Sequence, residues 1–333
     1  MNKTFTLIIC TYLRSTPLLE LLMSVVKQSL YPNEILIIDG STNDKTKKIL
    51  EQYNFKKVKY YKVDNLNRGL TKQRNYGINL VSEDSEIVCF LDDDIILEKD
   101  YFEQLLNTYI TFPEALAVGG YITNEVTWKQ SNKNTNPSKF YFDGWIRNEP
   151  SRFKLRRKFG LQPDVPPGFM PDFSNGRSVS FLPPSGRVYN VEQLMGGVSS
   201  YKKEVFKTLS FSPYFEGYGL YEDADFSLRL AKQGKLYINT KAQLQHHHNG
   251  SGRPNKYHYG KMVIRNGWYV WRIKNTNPSF KAQFKWHGIA LLLTVVRIIN
   301  IVTTKKRIES LTESLGRAIG WFSLLFNKPK IQK

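Results

Sequence analysis

The stretch from Ile87 to Ile95, IVCFLDDDI, decides how this chain is read. Five residues suited to a buried strand, Ile87, Val88, Cys89, Phe90 and Leu91, run straight into Asp92, Asp93 and Asp94. A short apolar run rich in β-branched and aromatic side chains predicts a central strand covered on both faces. Packing does not account for three carboxylates at its end, because like charges this close repel unless something positive sits among them. In open α/β sheets ligands bind in the crevice beyond the strand ends. Oxygen ligands at positions i and i+2 of a bend suit Mg²⁺ or Mn²⁺ carrying a phosphate-bearing substrate. The plainer alternative is a solvated acidic turn capping the next helix.

Outward from this strand the pattern alternates. Residues 4–11 (TFTLIICT) form a first strand, and a helix follows with Thr16 as cap and Pro17 in its first position. Glu34 to Asp39 (EILIID) is a second strand ending in a carboxylate, Lys45 to Tyr53 a helix and Val58 to Lys62 a third strand. Gly69 closes a loop before a helix that carries Lys72 and Arg74 in its first turns, where cations oppose the dipole and imply a nearby anion. Tyr101 to Phe112 continues as helix and Ala117 to Tyr121 as strand. This β–α alternation predicts a doubly wound, mostly parallel sheet. Neither G-x-G-x-x-G nor G-x-x-x-x-G-K-[ST] occurs, so a dinucleotide fold of the usual kind and a P-loop are both unsupported.

With 333 residues, 41% of them apolar, the chain fits one large α/β domain with an appendage. Cys10 and Cys89 both fall in core strands and read as buried hydrophobes of a reducing compartment. The opening residues enter a strand directly, so no secretory signal is expected.

From Glu125 to Glu192 periodicity gives way to Pro, Asn, aromatic and basic residues, the composition of a lid or binding loop. Order returns at Tyr189 to Tyr201, where Gly196 and Gly197 in a strand-like context suggest close approach of the backbone to a ligand. In YEDADFSLR, Glu222, Asp223 and Asp225 open a helix whose dipole favours their ionised forms, and Asp225 is placed to pair with Arg229. Ala242, Leu244 and His246 alternate as a strand that runs into His247 and His248, imidazoles at the edge of the same crevice.

The net charge of +19 is concentrated late: residues 241–333 hold 17 Lys or Arg against Glu309 and Glu313. Trp286 to Val302, interrupted by Arg297, falls short of the roughly 18 to 20 apolar residues that a bilayer span needs. Ile308, Leu311, Leu315, Ile319, Phe322, Leu325 and Phe326 recur at helical spacing just after Lys305, Lys306 and Arg307. A basic border beside a broad apolar face fits a helix lying on an anionic membrane, and a nucleic-acid arm would not need that hydrophobe.

Taken in order, TLIICTYLR, IIDGST, LTKQRNYGI, FLDDD, the paired glycines, YEDADFSLR and AQLQHHH resemble bacterial family 2 glycosyltransferases of the GT-A fold. The resemblance covers roughly residues 4–250. It implies a catalytic domain over 1–250, with a nucleotide-sugar half to about 122, an insertion at 125–192 and an acceptor half over 193–250. A basic helical tail would then occupy 251–333. By position, Thr11, Tyr12 and Asp39 would contact the nucleoside, with Asp39 on the uracil ring, and Arg74, Asp92 and Asp93 would join the donor site. Asp92 and Asp94 would be the D-x-D element, with Asp94 the direct ligand of Mn²⁺ or Mg²⁺ and His246 or His248 an additional one. Asp223 would be the base, Glu222 an acceptor-binding neighbour, and Gly196 and Gly197 the acceptor-site turn. The activity implied is inverting transfer from a nucleotide sugar, in the first instance a uridine-diphosphate sugar, to a glycan or lipid-linked acceptor. The enzyme would be cytoplasmic and attached peripherally to the inner face of the membrane. A nucleotidyltransferase would want a glycine-rich basic loop where residues 11–16 offer only Arg14. A non-catalytic basic module would bind acidic glycan or nucleic acid in a strongly salt-dependent way.

Overall fold

The computed structural model describes residues 3–132, 136, 138–247 and 254–331. They fall into two compact units, residues 1–130 with 179–252 and residues 131–178 with 253–333.

The first unit is a sheet flanked by helices. In chain order it contains β1 (Phe5–Thr11), α1 (Ser15–Val26), β2 (Glu34–Asp39), α2 (Lys45–Tyr53), β3 (Val58–Lys62), α3 (Leu70–Ile78), β4 (Ile87–Asp92), β5 (Ile95–Leu97), α4 (Tyr101–Thr111), β6 (Ala115–Ile122) and β7 (Lys129–Gln130). In the second unit β8 (Lys139–Phe142), β9 (Trp145–Asn148) and α5 (Ser151–Lys158) follow, and the chain then returns to the first for β10 (Val188–Val191), β11 (Val198–Lys202), α6 (Glu222–Leu230) and β12 (Lys235–His246). Helices α7 (Lys256–Lys274), α8 (Phe280–Thr303) and α9 (Arg307–Phe326) complete the second unit.

The sheet runs β10-β12-β6-β11-β4-β1-β2-β3, with β5 paired on β12. Strands β1 to β4 pair in parallel, β12 is parallel to β6, and β11 runs antiparallel between β4 and β6. Register brings the chemistry to one edge. Thr11 stands opposite Asp39, Cys10 opposite Asp92, Val198 opposite Leu91 and His246 opposite Ile95. The apolar residues of β1, β2 and β4 are buried apart from Cys10, which is half-buried near the end of β1, as expected for strands covered on both faces. Leu18, Leu21, Leu22 and Val25 of α1 and Phe102, Leu105 and Leu106 of α4 belong to the same core. A second set of rings, Phe90, Tyr201, Phe206, Phe211 and Phe226, meets edge-on or stacked, with Phe211 and Phe226 centred 4.4 Å apart. Such pairs add about 0.5–1.5 kcal/mol each beyond area burial.

Helix α1 begins at Ser15, not after a Thr16 cap, and no side chain caps it. Pro17 is tolerated in the first turn because its missing N–H would have had no helical partner there. Gly196 and Gly197 lie in the turn that opens β11 and not inside a strand.

In the second unit, Asp143 and Gly144 both take positive φ, 47° and 79°, in the two-residue turn joining β8 to β9. That is the Asp-Gly hairpin turn, whose twist matches the strands it connects. Helices α7 and α9 approach closely: a Cβ on Gly260 would strike the Glu313 carbonyl oxygen, and one on Gly316 the Tyr257 carbonyl oxygen. Helix α8 corrects the expectation of a segment too short to span a bilayer. It runs 24 residues, starting where the Ser279 side chain accepts the Ala282 N–H at 3.2 Å, and is long and apolar enough by length and composition. Its polar first turns lengthen it beyond the apolar run.

Candidate active site

Asp92, Asp94 and His246 present ligand atoms that all lie within 4.8 Å of one another. Asp92 is the last residue of β4, Asp94 follows in the bend, and His246 ends β12 beside β5. Asp94 Oδ1 lies 3.1 Å from His246 Nε2, and the other ring nitrogen, Nδ1, lies 3.3 Å from Glu125 Oε1. Asn124 grips the same residue by its backbone, accepting the His246 N–H and donating to the His246 carbonyl, both at 3.0 Å. Burial works against a charged imidazole, yet the bonds to Asp94 and Glu125 outweigh it and push His246 up to about 10. Two carboxylate oxygens and one imidazole nitrogen are a donor set suited to Mn²⁺ or a similar divalent ion, so these residues fit a metal. Glu125 is the outer carboxylate that would orient His246 toward such an ion.

Asp93 faces the other way. It is buried, accepts the Thr11 hydroxyl at 2.6 Å and meets Arg14 at 3.0 Å. Burial pushes it up to about 6, against the pull of Thr11 and Arg14. Arg14 also reaches Asp94 at 3.3 Å, so one guanidinium bridges both acids.

Arg74 bridges at longer range. Buried on α3 with its guanidinium 5.6 Å from the Phe90 ring and 5.1 Å from that of Phe211, it bonds Glu222 at 2.5 Å and approaches Asp92 at 3.7 Å. The anions its position implied are therefore the protein's own acids, and Lys72 likewise meets Glu216 at 3.2 Å. Glu222 and Asp223 open α6. Asp223 accepts the Gly196 N–H at 3.3 Å and the Ala224 N–H at 2.8 Å. Burial raises Asp223 and pushes Glu222 up to about 8 despite Arg74. The helix dipole, expected to keep these acids ionised, is the weaker influence here. Glu222 Oε2 is buried with no hydrogen-bond partner. Asp225 pairs with Arg229 at 2.7 Å as its spacing predicted.

The paired glycines make this crowding possible. A Cβ on Gly196 would lie 2.6 Å from both Arg74 and Glu222, and one on Gly197 would fall inside the Asp92 carboxylate. The backbone approach read from these glycines is thus made to charged side chains, with the Asp92 N–H bonded to the Gly197 carbonyl at 2.9 Å. Asp39 is fully buried and accepts the Ser41 N–H at 2.8 Å and the Tyr60 hydroxyl at 3.0 Å. Tyr12 is 41% exposed, with the Arg68 guanidinium 5.9 Å from its ring centroid. His248 lies outside the described residues.

Sequence reasoning did not assign roles to Glu125, Asn124, Gln73 or Arg14. Gln73 donates to the carbonyls of Thr11 and Ile38, tying the ends of β1 and β2 together. Glu125 and His246 are 121 positions apart and meet only because β6 and β12 pair, so no local signal marks the contact.

A parallel sheet with an inserted antiparallel strand, carrying an Asp-x-Asp turn and a His at one edge, is the GT-A arrangement of nucleotide-sugar enzymes. The model of Glycosyl transferase family 2 matches residues 6–190, more than half of the sequence, and the chain belongs to that family. Membership implies a glycosyl-transfer domain with a nucleotide-sugar donor and an acceptor. Among curated relatives, the glucosyl-dolichyl phosphate glucuronosyltransferase of Haloferax volcanii is 28% identical over 137 residues, which are 40% of this chain and 42% of that protein. The chain thus matches less than half the length of that relative. Among solved structures, GalNAc-T7 with UDP, GalNAc and Mn2+ aligns at TM-score 0.53 and 15% identity, over 88% of this chain and 58% of the other. TarS 1-349 of S. aureus also aligns at 0.53 and 15%, over 96% and 80%. At such identities the likeness concerns the fold.

Proposed function

We propose that this enzyme is an inverting, divalent-cation-dependent transferase that moves a sugar from a uridine-diphosphate donor to a glycan or lipid-linked acceptor of bacterial surface polysaccharide. The observation that carries the reading is Arg74, which contacts Asp92 of the metal-type cluster and Glu222 of the acid pair at once. Two kinds of acid at one sheet edge match the two demands of glycosyl transfer.

In this reading Asp92, Asp94 and His246 would hold Mn²⁺ or Mg²⁺, which would supply positive charge to the departing diphosphate. His246 must give up its Nε2 proton to serve as a ligand, while its Nδ1–H stays bonded to Glu125. The acceptor oxygen forms its bond to the anomeric carbon, the bond from that carbon to the diphosphate oxygen breaks, and the hydroxyl proton passes to Asp223. Proton removal of this kind contributes typically 10²- to 10⁴-fold. Attack opposite the leaving group inverts the anomeric centre. Glu222, protonated in part at neutral pH, is suited to hold an acceptor hydroxyl through its unpartnered Oε2. Tyr12 offers a face to the nucleobase, and Thr11 and Asp39 are the remaining nucleoside-side residues, supported by the pairing of β1 with β2. Gly196 and Gly197 keep the acceptor side free of bulk.

The test is a panel of nucleotide sugars read by melting temperature with and without Mn²⁺, since a ligand of the folded state raises it. A uridine-diphosphate sugar should stabilise the wild type only with the metal and should leave Asp94→Ala unshifted. Equal stabilisation without metal would overturn the metal-dependent reading.

Attachment to the inner face of the membrane belongs to the same reading. Helix α9 exposes Ile308, Leu311, Leu315, Phe322 and Phe326, and α8 exposes Phe284, Val295 and Val302. Lys305, Lys306 and Arg307 occupy the turn between the helices and its edge. Each cation near an anionic surface is worth about 1 kcal/mol. Vesicles rich in phosphatidylglycerol should sediment the protein, Phe322→Ser with Phe326→Ser should release it, and no binding by the wild type would remove the assignment.

A further inference from the structure

The second unit holds a concentration of cations that the reaction above does not use. The guanidinium groups of Arg152, Arg156 and Arg177 lie 5.0, 5.5 and 5.0 Å from the centroid of a single ring, buried Phe153. Glu149 is the acid paired with this group, buried and bonded to Arg177 at 2.7 Å and, by a shorter contact, to Arg157. Among the described residues one carboxylate thus stands against four guanidinium groups, none of which can shed its proton at physiological pH.

Arg156 is only 4% exposed. Its Nε and Nη1 donate to the carbonyls of Leu161 and Asn175 at 2.9 and 3.0 Å, while Nη2 is buried without a partner. Arg177 Nε is a second buried donor without one. Burial and the neighbouring charges of Arg177 and Arg152 push Arg156 down to about 10, the mark of a cation short of counter-charge. Each unmet donor loses its hydration without a replacement bond. Contact with the ring face returns part of that loss. Buried charged groups of this kind often stabilise no better than apolar packing of the same volume, so stability is a weak reason for the cluster.

We infer that Arg152, Arg156 and Arg177 form a binding site for a phosphoryl group, and that this group is carried by the acceptor. A tetrahedral oxyanion supplies what the cluster lacks, negative charge and acceptor lone pairs facing several directions. Guanidinium groups gathered about one ring and felt by one another suit the three oxygens of a phosphoryl group better than the two of a carboxylate. The cluster sits in the segment between β6 and β10 whose composition reads as a lid or acceptor-binding loop. Assignment to the acceptor rests on the transferase reading above; the anion site itself does not.

The experiment is calorimetric titration of the full-length protein with inorganic phosphate and with glycerol 3-phosphate, in EDTA and without donor. No metal-held diphosphate site and no turnover then contribute. Saturable one-to-one binding is expected, weakened at least tenfold by Arg152→Gln and by Arg177→Gln. Arg152 is exposed, so its variant should melt at the wild-type temperature when phosphate is absent. Lys158→Gln removes the same charge from the exposed end of α5 and should leave binding unchanged. Absence of saturable binding, or equal losses in Lys158→Gln and Arg152→Gln, would overturn the site. Glycerol 3-phosphate should bind more tightly than free phosphate, and an ester that fails to compete would overturn its assignment to an acceptor. Phosphate binding in a protein that transfers no sugar would keep this site and remove only the reading on which the assignment rests.

Discussion

The acids of the β4 turn and the acids at the start of α6 share one sheet edge and are treated in opposite ways. Asp94 meets an imidazole and Arg14, groups that favour an anion, and Asp92, 3.7 Å from Arg74, stays partly open to solvent. Glu222 and Asp223 are sunk beside the aromatic cluster, where burial lifts both. A cation ligand must be available as an anion, and a proton acceptor must bind its proton firmly enough to take one. Environment, not residue type, separates the two tasks, and Asp93 makes the same point from inside the triplet by turning to Thr11 and Arg14.

That contrast can be broken most severely at Asp223, the proposed base. Asp223→Asn should lower kcat by about 10²- to 10⁴-fold while donor binding in Mn²⁺ stays near wild type by calorimetry. Unchanged turnover would transfer the role to another group. A smaller effect is expected outside the metal ligands, where Glu125→Gln leaves the three donors in place and loosens the histidine. Mn²⁺ affinity should fall by about 10- to 100-fold, read by titration, with kcat recovering at saturating metal. The smallest effect concerns pH. Glu222 is raised in the folded state, so the stability tied to its neutral form is full below the unfolded carboxylate pKa and is lost as pH rises through about 8. The melting temperature of Glu222→Gln relative to wild type should therefore climb by a few degrees between about pH 5 and 9, and a flat difference would contradict the assigned shift.

The strand pattern of the first half was legible because period and turn chemistry are local: β2, α2 and β3 occupy the residues their sequences predict. The Asp-x-Asp turn and the acidic start of α6 were visible for the same reason, as charge where packing asks for none. What the sequence did not disclose depends on pairing between distant strands. His246 could be suspected, but Glu125 and Asn124 become its partners only through β6 against β12. Arg14 reads locally as an ordinary residue ahead of a helix, and the bend of β4 alone turns two carboxylates toward it. The two glycines pointed to close approach, but the contacted groups, Asp92, Arg74 and Glu222, come from three other segments.

The antiparallel insertion of β11 also bears on how the enzyme comes into being. Its first residue abuts the end of β4, and His246 follows Asp94 by 152 positions. A nascent chain halfway out of the ribosome therefore already displays its aspartates but has neither the glycine turn that seats Asp92 nor the imidazole that completes the triad. Translation itself withholds the assembled centre until β12 has emerged and zipped onto β6.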